Sequence, residues 1–497
     1  MKNCFLQIIT LLFLLHLTGV RNVSAQNSGN VGGINWEFYG DGILTVGGAT
    51  DIFMNFLDNA SFNHIRNQIR HVVVEHGVTS IGTFAFQSDF IETITLPATL
   101  TAFAVQSFEN CTALHSINVV AGNPYYYSDD GVIFSKLNAM LVACPPGKTG
   151  AYYVPDTVEI IDRYAFRKCS KLTSVILPPS VKIISDYAFQ DSRIITVTLP
   201  ASLISIGIGA FTMCNKLTTV NIPASVSFIG DAAFRFCDNL TSISVDTGNP
   251  VYSSIDGVLF DTGKQSLVVC PQQKKGSYIV PEGIKIIEVM AFCYCYGLTS
   301  ITFSSSVTTL DIGALANCVN LKSIALPASI QIVNYQAFYC CDNLTEIINF
   351  SNSPQNISVS WLPSTAIAKC TLRVPAAAVG KYLLANNWKD FKEIVAIEEK
   401  IALDYNEIYL LSGNVKTVNA ELTGGAANPK AVVWNSRQPE VVTVNNGKLT
   451  AVHPGTSVIT ASIDEGEVEC SVSVIEKGKM LVDRAGVKME RAKLYVK

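Results

Sequence analysis

A period of 22–23 residues runs through most of this 497-residue chain and restricts its fold more than any other feature. Residues 171–189 read KLTSVILPPSVKIISDYAF, residues 216–234 read KLTTVNIPASVSFIGDAAF, and residues 321–338 read LKSIALPASIQIVNYQAF. The unit is L-x-x-I-x-L-P-x-S-V-x-x-I-x-x-x-A-F-x-x-C-x-x. Its closing aromatic falls at Phe86, Phe108, Phe166, Phe189, Phe211, Phe234, Phe292 and Phe338, with Leu315 in its place once. Two spacings are 58 instead of 22 or 23, and each contains the same insert, residues 122–162 and 248–288. Matched positions of the two inserts lie 126 residues apart, so the repeat has a second, longer level.

A unit of this length cannot bury its own apolar face, so neighbouring units must stack. Alternation in T-S-I-x-L-P has period two and predicts a short strand. Its inward residue recurs at Val72, Ile94, Ile117, Tyr152, Val175, Val197, Val220, Ile243, Tyr278, Ile301, Ile324 and Ile347. Twelve such strands in one continuous parallel sheet would extend roughly 55–60 Å at about 4.8 Å per strand. Proline at the strand end (Pro97, Pro178, Pro200, Pro223, Pro327) stops the ladder and turns the chain. The A-F-x-x-C segment is expected to form a short turn or 3₁₀ piece on the convex side.

The cysteines follow the same period. Cys111, Cys169, Cys214, Cys237, Cys295, Cys318 and Cys341 each stand three residues after the closing aromatic, and Cys144 and Cys270 are insert equivalents. Many cysteines in a secreted chain invite a disulfide framework. Side chains that all point the same way favour packing, and buried thiols are the expectation. Cys293 and Cys295 (C-x-C) and the adjacent Cys340 and Cys341 lack the paired C-x₂-C spacing of zinc sites. No metal site and no cofactor are expected.

The N-terminus reads as a signal peptide, 1–25. Lys2 precedes an apolar run, residues 5–17, that is too short to span a bilayer, and Val23, Ser24 and Ala25 offer a cleavage site. Its removal takes away two cations and no acid, which leaves 34 Lys and Arg against 40 acids, a net charge of −6. That balance argues against a nucleic-acid partner. No later stretch is long and apolar enough for a transmembrane span. The product is expected to be secreted or held at the cell surface, associated with an outer membrane, and monomeric.

The repeat consensus, the N-P-x-Y…D-G-V-L-F…C-P insert and the opening W-E-F-Y-G-D-G-I-L-T-V-G-G of residues 36–48 resemble the BspA-like leucine-rich-repeat surface proteins. The resemblance covers roughly residues 31–395. It implies a mainly β, right-handed leucine-rich-repeat solenoid with a parallel concave sheet, and attachment to host matrix proteins or other cells. Residues 26–66 then form an N-terminal capping segment and 67–397 the solenoid. Residues 376–397 look like the family's C-terminal cap, an amphipathic helix. Register is irregular over residues 348–369.

Behind the repeat, residues 398–476 change pattern. Strands are expected at 408–411, 415–422, 431–434, 441–444, 448–452, 457–463 and 467–475, with a hairpin turn at Asn446-Gly447. Seven short strands suggest a small β-sandwich, and the phrases VWNS, VNNGKLT and HPGT resemble the bacterial immunoglobulin-like group 2 domain, usually a spacer. Residues 477–497 form a basic tail.

No catalytic residues emerge, and the chain is not expected to be an enzyme. Gly147-Lys148-Thr149 resembles the end of a phosphate loop, but Val142 stands where its first glycine belongs. Asp129-Asp130-Gly131 and Asp256-Gly257 fit hairpin turns and lack the ligand spacing of calcium loops. The strand residues flanking the inward ones are instead hydroxyl-rich and nearly uncharged: Thr93, Thr95, Ser116, Asn118, Ser174, Thr196, Thr198, Thr219, Asn221, Ser242, Ser244, Ser300 and Thr302. Threonine is a good strand residue in any case. The functional reading is a neutral, hydrogen-bonding groove for an extracellular protein or glycan. The inserts, expected to protrude, add Tyr125, Tyr126, Tyr127 and Tyr252 as further candidates, with at least one tyrosine per insert in the core. Two function classes stay open: a binding or adhesion protein, and a structural or accessory envelope protein that captures glycans without a host protein partner.

Overall fold

The computed structural model describes residues 25–358, 360–397, 400–423, 432–463 and 466–476. The expected signal peptide, apart from Ala25, and the basic tail lie outside the described residues.

The repeat folds into a solenoid in which each coil has three sides. The first is a strand such as Thr219–Ile222, pattern exposed, buried, exposed, buried. All twelve predicted inward residues are buried, the most accessible being Val197 at 8%. At the end of this side the prolines turn the chain: the carbonyls of Pro178, Pro200 and Pro223 accept the N–H groups of Val181, Leu203 and Val226. The second side is a two-residue strand, for example Phe228–Ile229, paired in parallel with Ser205–Ile206 of the preceding coil. The third side is the A-F-x-x-C segment.

That third side is a linked series of turns, with a 3₁₀ piece at Val105–Phe108. In most coils the residue before the alanine and the second after the aromatic adopt left-handed backbone, as at Tyr187 (φ 56°) and Asp191 (φ 57°), or Ala232 (φ 55°) and Phe236 (φ 58°). Non-glycine residues at such angles cost roughly 1–2 kcal/mol each. The stack offsets this by joining coil to coil: Phe189 N–H donates to Ala210 O at 2.7 Å and Phe211 N–H to Ala233 O at 2.8 Å. Phe166, Phe189, Phe211 and Phe234 then form a face-to-face column, with centroids 4.9, 5.0 and 5.5 Å apart.

The first side is not one continuous sheet. It comprises a six-stranded sheet ending at Ser116–Val119, a three-stranded one over Gly150–Tyr153, Leu172–Ile176 and Thr196–Thr198, a pair Thr219–Ile222 and Ser242–Val245, and a six-stranded sheet from Gly276–Ile279 to Glu393–Ala396. Two of the three breaks fall at the inserts. Each insert is an antiparallel three-strand meander, Tyr126–Asp129, Val132–Ser135 and Met140–Ala143 in the first, and its last strand joins the second-side sheet in parallel. Val132, Ile133 and Phe134 are all buried, so this hairpin cannot protrude. It lies within the stack and replaces a strand: Ile117 N–H donates to Gly131 O, at 2.9 Å, where the next strand would have bonded. Ile243 and Gly257 repeat the arrangement in the second insert. At the third break, Thr218 N–H still reaches Ile195 O at 3.4 Å.

The ends of the stack are closed differently. At the start, Asn27–Val31 and Ile34–Phe38 form a hairpin, and Ile43–Gly47 opens the parallel ladder with His71–Val74. At the far end the expected amphipathic helix is replaced by a 3₁₀ turn Ala376–Ala378, one α-turn Val379–Tyr382 and a strand Glu393–Ala396 that extends the sheet. Buried aromatics close the core instead. In the irregular stretch the Trp361 carbonyl accepts Phe338 N–H, the bond that the alanine before the closing aromatic makes in other coils, and its ring packs edge-on against Phe338 at 5.6 Å and on Trp388 at 5.2 Å. Tyr382 meets Trp388 edge-on, also at 5.2 Å.

Beyond residue 400 the described residues form three small sheets with their own apolar cluster around Ile408, Val442, Leu449, Ile459 and Val472. Most predicted strands are present, but the expected strand 415–422 is broken into Val415–Thr417 and Ala420–Thr423, and Lys400–Leu403 is additional. Asn446 (φ 46°) and Gly447 (φ 75°) make the tight hairpin turn. A Cβ on Gly447 would meet Val418 O at 2.2 Å, so only glycine fits there.

Candidate binding surface

The outward positions of the first side lie in register where the ladder is intact. Thr93 pairs with Ser116 and Thr95 with Asn118, Ser174 with Thr196, Thr219 with Ser242, and Asn221 with Ser244. Thr196, Thr198, Thr219, Asn221, Ser244 and Thr302 are exposed; Thr93, Thr95, Ser116, Asn118, Ser174, Ser242 and Ser300 are half-buried. Period two accounts for this, because each flanks a buried residue on a pleated strand. The side chains bond among themselves. Ser116 Oγ donates to Asn118 Oδ1 at 3.1 Å, Ser244 Oγ to Asn221 Oδ1 at 2.7 Å, and Ser300 Oγ to Ser277 Oγ at 2.8 Å. Asn221 Nδ2 donates to Asp246 Oδ1 at 2.8 Å, which fixes its amide.

The insert tips divide this surface into patches. Asp130-Gly131 and Asp256-Gly257 take left-handed φ at both residues, as expected of tight hairpin turns. Gly131 lies so close that a Cβ would meet Ser116 Cα at 2.7 Å. Each tip is held by a lysine of its own insert. Lys148 Nζ donates to Asp130 O and pairs with its carboxylate at 3.0 Å, and Lys274 does the same to Asp256. Lys148, the only basic residue of the phosphate-loop-like phrase, is thus a structural tie. The aspartate carboxylates themselves remain largely exposed, so the tips add two acidic points to a face that is poor in charge apart from residues such as Asp246.

The tyrosines separate by position. Tyr125 and Tyr127 are exposed, with Tyr127 stacked on Phe134 at 5.2 Å. Tyr126 is half-buried against Phe103 at 5.3 Å. Its counterpart 126 residues on, Tyr252, is buried, and its hydroxyl accepts Ile229 N–H at 2.9 Å. The core tyrosines are Tyr152 in the first insert and Tyr252 and Tyr278 in the second, each 6% exposed, and Tyr252 has no free face to offer.

Two hydrogen-bond ladders position these coils. Each ladder cysteine donates its S–H to a carbonyl one coil earlier: Cys214 to Phe189 O at 3.1 Å, Cys237 to Phe211 O at 3.2 Å, Cys318 to Phe292 O at 3.1 Å. All thirteen described cysteines are free thiols. Burial pushes the Cys111, Cys214 and Cys341 thiols up to about 12. The second ladder, unforeseen from the sequence, uses the serine of P-x-S. Ser180, Ser202 and Ser225 donate to Val158 O, Val181 O and Leu203 O at 2.6–2.7 Å. Its signal was present in the consensus, where serine recurs two residues after proline.

Among the described residues, no group of three or more His, Cys, Asp or Glu side chains could hold a metal ion, and no helix is long and apolar enough to cross a membrane.

The family profile of the BspA type leucine rich repeat region matches residues 54–129, 150–256 and 272–389. A curated relative, an uncharacterized protein of Clostridium acetobutylicum, is 32% identical over 102 residues, 18% of this chain and 10% of the relative. The chain therefore spans about a tenth of that protein. Solved structures with similarity include a leucine-rich repeat protein from Eubacterium ventriosum (20% identity, 76% of this chain and 86% of that one, TM-score 0.39). A leucine rich cell surface protein from Faecalibacterium prausnitzii (19%, 75% and 95%, TM-score 0.38) and the pneumococcal vaccine antigen PcpA (16%, 76% and 100%, TM-score 0.42) are others. With its repeats matched over more than half its length, the chain belongs to the BspA-type leucine-rich-repeat family.

Proposed function

We propose that this chain is a secreted or cell-surface binding protein that presents its first-side strands to an extracellular protein, another cell or a glycan. The observation that supports this most is the set of hydroxyl and amide side chains that flank buried residues on those strands and pair in register within each patch, Thr93 with Ser116, Ser174 with Thr196 and Asn221 with Ser244. Such a surface offers both donors and acceptors at regular spacing and little charge, so recognition rests on shape and hydrogen bonding more than on steering. The acidic insert tips and the exposed Tyr125 and Tyr127 lie beside it as secondary contacts. The sheets beyond residue 400 are read as an immunoglobulin-like spacer of the bacterial group 2 kind that carries the solenoid away from its anchorage.

The test is a binding screen of the chain against matrix proteins and polysaccharides, followed by Thr219→Ala/Asn221→Ala. Loss of the screened interaction without loss of folding supports the groove. Binding that survives this change but disappears when Tyr125 and Tyr127 are replaced moves the function to the inserts. Binding to polysaccharides alone favours the accessory, glycan-capturing role.

A further inference from the structure

The two inserts create two equivalent junctions, 126 residues apart, where the stack resumes, and the two have diverged. At the first, residues 103–109 meet residues 143–146 and 163–168, and the space between them is about 20 Å³. Glu109, almost fully buried, is clamped there by Arg167 at 2.9 Å and Lys168 at 2.6 Å. At the second junction the corresponding cleft is about 350 Å³. This is within the roughly 300–1,000 Å³ of small-molecule sites.

The sequence explains the difference. Relative to the first junction, Phe103 becomes Ile229, Gln106 becomes Ala232 and Tyr164 becomes Met290, each with less bulk or a more pliable side chain. Glu109 becomes Arg235, and its partner Arg167 becomes Cys293. Burial pushes the Cys293 thiol up to about 11, so it is neutral. The ion pair is therefore lost while a cation stays. The Arg235 guanidinium lies over the Phe236 ring at 4.4 Å, and its Nε has no hydrogen-bond partner among the described residues. Pro146 becomes Gln272, which is 8% exposed and donates to Cys293 O at 3.3 Å. Its Oε1 is buried without a partner in the wall of this cleft. A buried polar atom without a partner costs about 1–3 kcal/mol, and a ligand would remove that cost. Three carboxylates complete the wall. Asp231 is exposed, Glu288 accepts from Ser266 with Lys264 at 3.6 Å, and Asp311 accepts from Asn334.

We propose that the second junction is a binding site for a sugar acid, one carboxylate on a polyhydroxylated ring. Arg235 takes the carboxylate, the pairing for which a guanidinium is best shaped. Gln272 Oε1 accepts a hydroxyl or amide N–H, and the wall carboxylates accept further hydroxyls. They also disfavour multiply charged anions such as phosphate. Met290, Val268 and Val269 supply the apolar part of the wall. The site contains none of the first-side residues and does not rest on the groove reading.

Calorimetric titration of the full chain tests this with glucuronate and N-acetylneuraminate as probes, against glucose and N-acetylglycine. At least one sugar acid should bind at least tenfold more tightly than either control. Arg235→Glu/Cys293→Arg rebuilds the first junction's pair and should weaken that binding at least tenfold. Arg235→Gln and Gln272→Ala, read with a melting curve, keep the test decisive if the double variant folds poorly. Thr219→Ala/Asn221→Ala should leave sugar-acid binding unchanged. The proposal is overturned if neither sugar acid saturates at millimolar concentration, if glucose or N-acetylglycine binds equally well, or if folded Arg235 variants bind like the original.

Discussion

Phe211 and Phe234 stack with their ring planes 1° from parallel and their centroids 5.5 Å apart, although 23 residues of chain separate them. Phe211 also stacks on Phe189, so it is held between two coils. Phe211→Ala should cost roughly 3–5 kcal/mol, the range for a buried phenylalanine. Because each coil touches only its neighbours, the loss weakens interfaces on both sides. The unfolding transition followed by circular dichroism should broaden or split. A single sharp transition with an unchanged midpoint would contradict the column's role.

The ladder thiols give a pH dependence. The folded value of Cys214 is about 12 against an ordinary 9.0, because burial penalises the thiolate. The raised folded value means the contribution is fully present below pH 9 and is lost as pH rises from about 9 toward 12. Denaturation midpoints should therefore fall across that window, with Cys111 and Cys341 contributing alike. Thiol titration should find few reactive groups in the native chain and all of them in denaturant without reductant. Few additional thiols in denaturant would mean disulfides.

Glu109 should be a sensitive charged residue of the solenoid. It is 8% exposed and paired with two cations across the first insert. Breaking a fully buried pair costs roughly 3–5 kcal/mol. Arg167 and Lys168 reach solvent, so Glu109→Ala should cost less, about 2–3 kcal/mol. Chemical denaturation measures this, and added salt should narrow the difference only slightly.

Thr219→Ala/Asn221→Ala should change stability by roughly 0.5 kcal/mol per site, since both side chains are exposed. Ser225→Ala, by contrast, strips Leu203 O of its 2.6 Å side-chain bond and should cost about 1–3 kcal/mol. Paired denaturation curves distinguish a surface position from a ladder position.

Much of the fold was legible because it is periodic. The inward residues from Val72 to Ile347, the closing aromatics, the proline turns and the shared direction of the cysteines all follow from side chains that repeat every 22 or 23 residues. Period two likewise decided which strand residues face outward. What periodicity does not encode is how a non-repeating segment packs. The inserts were expected to protrude, yet Val132, Ile133 and Phe134 had to be buried, and that drew the hairpins into the stack and broke the sheet. The family resemblance implied an amphipathic helix as the C-terminal cap, but Trp361 and Trp388 closed the core and left one α-turn with a strand behind it. Glu109 and Arg235 occupy the same place in the longer repeat. Only the tertiary structure set each against its partner 58 residues on, closing the first junction with an ion pair and leaving the second open beside a neutral thiol.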